Sequence, residues 1–146
     1  MNMKFENNWR HKSLESLEKK IWPPVDSDEG SYLINTCNQL RKKQLKDFTT
    51  EDLRIMIGQS IGLKFLIPLA IEILKTDILA EGDLYEGDLL QSVLISDKDY
   101  WRQEKENREF VCQLFNQNRQ NLETADTISG IRKKWFESLR EFENIN

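Results

Sequence analysis

The chain has 146 residues, of which 38% are hydrophobic and 32% charged, and its formal net charge at pH 7 is −4. A chain of this length is expected to form a single domain, residues 1–146, that buries about 70% of its unfolded surface without help from a metal or a disulfide. The negative charge disfavours nonspecific binding to nucleic acids or anionic membranes, because these polyanions attract basic surfaces. Cys37 and Cys112 lie far apart and are predicted to be reduced, apolar residues.

No secretory start and no membrane span are predicted. The first twenty residues, "MNMKFENNWRHKSLESLEKK", contain no apolar run ahead of their charges. The longest apolar stretch, residues 61–74, contains Lys64, Pro68 and Glu72 and is too short to cross a bilayer. We therefore expect a cytoplasmic protein with no membrane partner.

Helical periodicity dominates the chain, since it has only three prolines and six glycines and no run with the clean alternation of a strand. Ser13 is predicted to cap a short first helix, which must end at the prolines of "WPP". A second helix is predicted in "DSDEGSYLINTCNQLRKK", with Leu33, Cys37 and Leu40 on one face.

The next two helices have clear signals. "FTTEDLRIMIG" predicts a helix with Thr49 as its N-cap and Asp52 in its first turn. The following segment, "IGLKFLIPLAIEILKTD", is apolar on nearly every side, so it is predicted to be the central helix of the domain. Pro68 is expected in the first turn of this helix or at a kink, because proline interrupts the helical hydrogen bonds.

The second half of the chain predicts three more helices. "LLQSVLIS" supplies two or three turns, and a long amphipathic helix is expected from about residue 98 to residue 122. Its predicted apolar stripe contains Trp101, Phe110, Val111, Leu114 and Phe115. The last helix is predicted from about residue 127, with Ile128, Ile131, Trp135, Leu139 and Phe142 spaced three or four residues apart. Six or seven helices without a sheet predict an all-α bundle around the central apolar helix.

The motif "EGDLYEGDLL" contains the triplet Glu-Gly-Asp twice. Between residues 72 and 99, eight acids and two lysines give a charge of −6, so that the remaining residues together carry +2. A surface with this charge suits a basic partner. The predicted partner-binding residues are Asp77, Glu81, Asp83, Glu86 and Asp88.

Parts of the same motif also have a structural explanation. Asp88 is predicted to be the N-cap of the helix that follows, and Gly87 permits a sharp entry into that helix. The Gly-Asp pair at 82–83 predicts a turn after the central helix. Glu81 and Glu86 have no role in this explanation, so they are the acids that we most expect to contact a partner.

No catalytic or cofactor site is predicted. His11 is the only histidine, and nothing places it near a nucleophile. Two scattered cysteines and one histidine do not supply a zinc site, and no glycine-rich phosphate loop is present. The acids at positions 1, 3, 6 and 8 of the motif do not have the spacing of a calcium loop. A hydrolase that holds magnesium or manganese with two of these acids stays a less favoured alternative.

Two basic clusters leave a different function open. They are "RKKQLK" at 41–46 and "RKK" at 132–134, and they would serve a helical nucleic-acid-binding regulator. However, they lack the interleaved aromatic residues and the net basic charge that such a surface normally has. The first cluster also suits the carboxyl end of a helix.

Residues 45–94 resemble an all-helical family of contact-dependent growth inhibition (CDI) immunity proteins, the CdiI type. The matching features are "EDLRIMIGQ", "IGLKFLIPLAIEIL" and "EGDLYEGDLL", in this order and at this spacing. A looser match is Trp101, which follows a helix-start aspartate, Asp99.

The resemblance implies a non-enzymatic antidote that binds and neutralises a cognate CDI toxin domain, the C-terminal part of a CdiA-type exoprotein. Such toxins are often nucleases and commonly basic, so an acidic antidote suits the pairing. Because the doubled triplet marks the family as a whole, selectivity for one toxin is expected from residues outside the shared segment. The candidates are Asp26, Asp28, Glu29 and the last two helices.

Overall fold

The structure, a computed structural model, describes residue 5, residues 7–23 and residues 32–146. These residues form nine α-helices and two 3₁₀ turns, Trp9–His11 and Leu45–Asp47, and their only β-type pairing is one isolated bridge between Ser13 and Gln44. The helices are α1 (Leu14–Glu18), α2 (Tyr32–Leu40), α3 (Thr50–Gly58), α4 (Leu63–Thr76), α5 (Asp88–Ile95), α6 (Lys98–Gln103), α7 (Lys105–Gln117), α8 (Arg119–Glu123) and α9 (Ser129–Glu143). The all-α prediction is confirmed. The predicted selectivity residues Asp26, Asp28 and Glu29 lie outside the described residues.

Two predicted helix starts are confirmed by their side-chain hydrogen bonds. Ser13 Oγ accepts a hydrogen bond from the N–H of Ser16 at 3.2 Å and so caps α1, which already ends at Glu18. At the start of α3, Thr49 and Asp52 form a reciprocal capping box. Thr49 Oγ1 accepts from the N–H of Asp52 at 3.1 Å, and Asp52 Oδ2 accepts from the N–H of Thr49 at 3.0 Å. These bonds satisfy N–H groups that have no partner inside the helix.

The core is built around two neighbouring helices. α4, the predicted central helix, buries eight apolar side chains, more than any other described helix, and packs against α3, α5 and α7. α5 is almost as central, since six of its eight residues are buried and it packs against α3, α4 and α9. The segment between α4 and α5 is therefore held at both ends by buried helices.

Pro68 lies inside α4, as its sixth residue, and not in the first turn. Of its two predicted positions, the first-turn position is wrong. Because proline has no N–H, the carbonyl of Lys64 has no helical donor four residues later.

Within the described part of the chain, no helix has both the length and the apolar character of a membrane span.

The single long helix predicted from about residue 98 to residue 122 is wrong, because α6, α7 and α8 replace it. The backbone leaves the helical region at Glu104 (φ −112°, ψ 63°) and at Asn118 (φ −108°, ψ 15°). Most of the predicted apolar stripe is nevertheless buried, namely Trp101, Val111, Leu114 and Phe115. These residues lie on both sides of the break at Glu104, and Leu122, beyond the break at Asn118, is also buried, so the apolar spacing did not reveal either break.

A few residues predicted to face inward are exposed instead. Leu33 and Phe110 are exposed, and Ile128 precedes α9 and has 70% of its surface exposed. In α9 itself, the predicted buried residues Trp135, Leu139 and Phe142 are all in the core.

Cys37 is buried and Cys112 half-buried, and both are free thiols, as predicted.

Candidate functional site

The predicted partner-binding acids lie in, or directly after, the segment that joins the two central helices. We call residues 77–87 the acidic loop. Asp77, Glu81, Asp83 and Glu86 are all exposed in this loop. Leu84 lies between them in the chain and has 62% of its surface exposed. The structure thus gathers four of the five predicted acids on one loop together with an exposed apolar side chain.

Asp88, the fifth predicted acid, has a different environment. It is the first residue of α5, and only 1% of its side chain is exposed. Its Oδ1 accepts a hydrogen bond from the N–H of Gly82 at 2.7 Å, and its Oδ2 accepts from the N–H groups of Leu84 at 3.0 Å and Tyr85 at 3.3 Å. Because this carboxylate is buried against its own loop, the prediction that Asp88 contacts a partner needs correction.

The N-cap of α5 is Gly87, so the prediction that Asp88 is the N-cap is also wrong. Gly87 has φ 80° and ψ 8°, a left-handed conformation that glycine adopts without steric cost. The side chain of Asp88 binds the loop that precedes α5. Its negative charge still lies in the first turn, where the helix dipole favours it.

Helix α3 supplies a second carboxylate for the acidic loop. Glu51 Oε1 accepts a hydrogen bond from the N–H of Asp83 at 2.8 Å. Arg54 donates from Nε to Glu51 Oε1 and from Nη2 to Glu51 Oε2, each at 2.5 Å. The Nε of Arg54 also lies 3.7 Å from Asp88 Oδ2. We call Glu51, Arg54 and Asp88 the clamp.

The charges of the clamp stabilise one another. The hydrogen-bonded Arg54 is the main reason why the pKa of Glu51 lies below its ordinary value, and burial opposes this shift. The pKa of Arg54 is raised in turn, mainly by its hydrogen bonds to Glu51. The clamp therefore consists of two carboxylates that share one guanidinium between them.

Four consecutive backbone N–H groups, those of residues 82–85, donate to the two carboxylates of the clamp. Gly82 is the point of closest approach, since a Cβ atom there would lie 2.5 Å from Glu51 Oε1 and 3.2 Å from Asp88 Oδ2. Gly82 does not have a positive φ, so this close contact, and not a turn, accounts for the glycine of the first triplet. A larger residue at this position would require the carboxylate of Glu51 to move away from the loop.

Among the described residues, no group of three or more histidine, cysteine or acidic side chains is arranged to hold a metal ion. The carboxylates of Glu51 and Asp88 already accept backbone N–H groups and lie beside the guanidinium of Arg54. A positive neighbour and occupied oxygens disfavour cation binding. The geometry gives no support to the metal-dependent alternative.

The arginines of the two basic clusters bind parts of the protein itself. Arg41 is fully buried, pairs with Glu18 at 2.7 Å and lies over the ring of Trp22, with its Cζ 4.4 Å from the ring centroid. In the second cluster, Arg132 Nη1 donates to the carbonyl of Ala125 at 2.8 Å. Because both guanidinium groups have these internal partners, the clusters offer less positive charge to a nucleic acid than the sequence suggests.

The chain is thus an all-helical protein whose exposed acidic loop is held by one buried carboxylate and one half-buried ion pair. The sequence profile of the CDI immunity proteins matches residues 16–111, a range that contains α2 to α6, the acidic loop and the clamp. Because this match covers more than half of the chain, the chain belongs to the family of CDI immunity proteins. A search of curated proteins finds no match.

Membership of this family confirms the resemblance found in the sequence and extends it on both sides of residues 45–94. An immunity protein of this family binds a cognate CDI toxin. Proteins of this family are generally not enzymes.

Proposed function

We propose that this immunity protein neutralises its toxin by placing the acidic loop against a basic surface of the toxin domain, the C-terminal part of a CdiA-type exoprotein. The toxin is a nuclease that uses this basic surface to hold nucleic acid, and the complex forms in the cytoplasm. The observation that carries the proposal is Leu84, a largely exposed apolar side chain among exposed acids.

The loop combines two features that protein interfaces use for different purposes. Exposed carboxylates steer a basic partner and accelerate its association, while a desolvated apolar anchor slows its dissociation. Glu81, Asp83 and Glu86 take part in none of the ion pairs within the described part of the chain. A partner therefore need not break an internal ion pair to reach them.

The test compares two variants that have the same change in charge. One replaces Glu81, Asp83 and Glu86 with lysine. The other replaces three exposed acids of the carboxyl-terminal helices and their connection with lysine, namely Glu123, Asp126 and Glu141. Each replacement of an acid by lysine raises the net charge by two, so the net charge of both variants changes from −4 to +2. Affinity for the purified cognate toxin domain is measured by titration calorimetry, and folding is checked by circular dichroism.

We expect the loop variant to lose about 100-fold or more in affinity, because a repelling charge replaces each attracting one at the interface. The control variant also tests the last two helices, which the sequence suggests as a source of toxin selectivity. If the acidic loop is the main binding surface, this variant should lose less than about threefold, since salt screens exposed charges that lie away from an interface. A loss confined to the control would instead move the site to the last two helices. An equal loss in both would mean that net charge, and no particular loop, governs binding.

The nuclease part of the proposal has a separate test. The isolated toxin domain is incubated with RNA and with DNA, alone or with an equimolar amount of the immunity protein. We expect cleavage of one of these substrates and its suppression in the mixture. A domain that kills cells but cleaves neither substrate would contradict the nuclease assignment and leave the loop proposal unchanged.

A further inference from the structure

We infer that Asp88 and Glu51 are positioning residues for toxin binding, because they hold residues 82–85 in the shape that the toxin recognises without touching the toxin themselves. This inference rests on the proposed function of the acidic loop. It explains how the loop can already have its binding conformation before it meets the toxin.

The first support is the pattern of backbone hydrogen bonds. The N–H groups of Gly82, Leu84 and Tyr85 donate to Asp88, and the N–H of Asp83 between them donates to Glu51. The two carboxylates come from different helices of the core, α3 and α5. The loop is therefore fixed from two sides, and no N–H group from residue 82 to residue 85 is left to rotate toward solvent.

The second support is the position of Leu84. Its backbone N–H lies 3.0 Å from Asp88 Oδ2, while 62% of its surface is exposed. A leucine in an unrestrained loop samples many conformations, of which only a fraction suit a given partner. Because the apparent dissociation constant is the intrinsic one divided by that fraction, a loop fixed in advance binds more tightly with the same contacts.

The third support is the role of Arg54 between the two carboxylates. Its Nε is 2.5 Å from Glu51 Oε1 and 3.7 Å from Asp88 Oδ2. Two carboxylates this close to the same loop would repel one another without the guanidinium. Arg54 thus offsets this repulsion while both carboxylates accept the backbone N–H groups of the loop.

The experiment uses the full chain with the replacements Asp88→Asn and Glu51→Gln, which nearly preserve shape and remove charge. The matched control is Asp52→Asn, since Asp52 is a partly buried carboxylate next to Glu51 that caps α3 and binds none of the N–H groups of residues 82–85. Hydrogen exchange is followed at the amides of residues 82–85, in the free protein and with the toxin domain. Association and dissociation rates are measured by surface plasmon resonance.

In the two clamp variants we expect faster exchange at residues 82–85 in the free protein and wild-type protection in the complex. If the replacement leaves about a tenth of the free molecules with the loop in its binding conformation, affinity for the toxin domain should fall about tenfold. Most of this loss should be a slower association rate, because fewer molecules can bind at each encounter. Asp52→Asn should leave both the loop exchange and the affinity unchanged, although it weakens the start of α3. A merely structural role of the clamp would change melting temperature and core exchange without this selective effect.

Wild-type affinity in both clamp variants, with faster exchange at residues 82–85, would overturn the inference. The proposed function would then still stand if the lysine variant of the loop loses affinity. If the lysine variant binds normally, the proposed function itself fails. Should Asp88→Asn not fold, Glu51→Gln decides the question, since Glu51 lies nearer the surface.

Discussion

Gly87 packs directly against the indole ring of Trp135, so that a Cβ atom on Gly87 would lie 2.4 Å from Cζ2 and 2.7 Å from Cε2 of the ring. Trp135 is fully buried in α9, and Gly87 is the last residue of the acidic loop. This contact fixes the end of the loop on α9, just as the clamp fixes its middle on α3 and α5. Three helices therefore determine the shape of the proposed toxin-binding loop.

The contact predicts a large effect of Gly87→Ala. The alanine must adopt φ 80° and its Cβ overlaps the indole ring, so we expect the free energy of unfolding to fall by about 2 to 4 kcal/mol. The measurement is urea unfolding at neutral pH. Gly130→Ala is the matched control, since a Cβ on Gly130 of α9 meets nothing within 4 Å. It should be neutral or stabilise by up to about 1 kcal/mol. Similar stabilities for the two variants would contradict this explanation.

Ser96 gives a second prediction, through its hydrogen bond to Trp101. The indole Nε1 donates to Ser96 Oγ at 2.8 Å, and both residues are buried. Ser96→Ala leaves this N–H without a partner, which should cost about 1 to 3 kcal/mol of unfolding free energy. In a Trp101→Phe background the same replacement should cost much less, because the donor is absent. Equal costs in the two backgrounds would show that the hydrogen bond does not explain the effect.

The features predicted well from sequence depend on residues close together in the chain. Ser13 and Thr49 cap their helices through N–H groups three residues later, so the signal is local. The apolar spacing of α9 likewise identified Trp135 as buried. The acids of the loop were recognised by their local density, and exposure of four of them follows from the cost of burying a charge.

The parts of the site that sequence reasoning missed depend on contacts that local sequence patterns do not describe. Asp88 has the local signature of an N-cap, which would bind N–H groups two or three residues later. Its carboxylate instead binds N–H groups of the loop before it, and the capping pattern does not predict the shape of that loop. Glu51 and Arg54 are spaced as an ordinary surface ion pair of a helix. Nothing in their neighbourhood indicates that residues 82–88 lie against them. Leu84 could have been found from sequence, because it is an apolar residue flanked by acids and glycines. A count of charged residues alone does not include it.

Leu84 is predicted to be the apolar anchor of the toxin complex. Leu84→Ala should lower affinity for the toxin domain about 10- to 100-fold, because an anchor buried at the centre of an interface contributes strongly. Its effect on urea unfolding should be small, since the side chain is mostly exposed in the free protein. The control is Ile95→Ala at the other end of α5, which removes another exposed apolar side chain. Calorimetric affinities that fall equally in both variants would contradict the assignment of Leu84.

The pair of Glu51 and Arg54 predicts a pH-dependent contribution to stability. The hydrogen-bonded Arg54 holds the pKa of Glu51 below its ordinary value of 4.5 in the folded protein. A carboxylate that is more acidic in the folded chain than in the unfolded chain stabilises the fold above its ordinary pKa. This stabilisation is lost as the pH falls through the lower, folded-state value. We therefore expect wild type to exceed Glu51→Gln in stability at neutral pH, and this difference to shrink below pH 4.5.

Urea unfolding of both proteins at a series of pH values measures this difference. Glu72→Gln is the control, because Arg10 also holds the pKa of Glu72 below its ordinary value, but this pair is about half exposed. Water and salt weaken an exposed pair, so the stability lost at neutral pH should be smaller for Glu72→Gln than for Glu51→Gln. A difference between wild type and Glu51→Gln that stays constant from neutral to acidic pH would mean that the charge of Glu51 does not stabilise the fold.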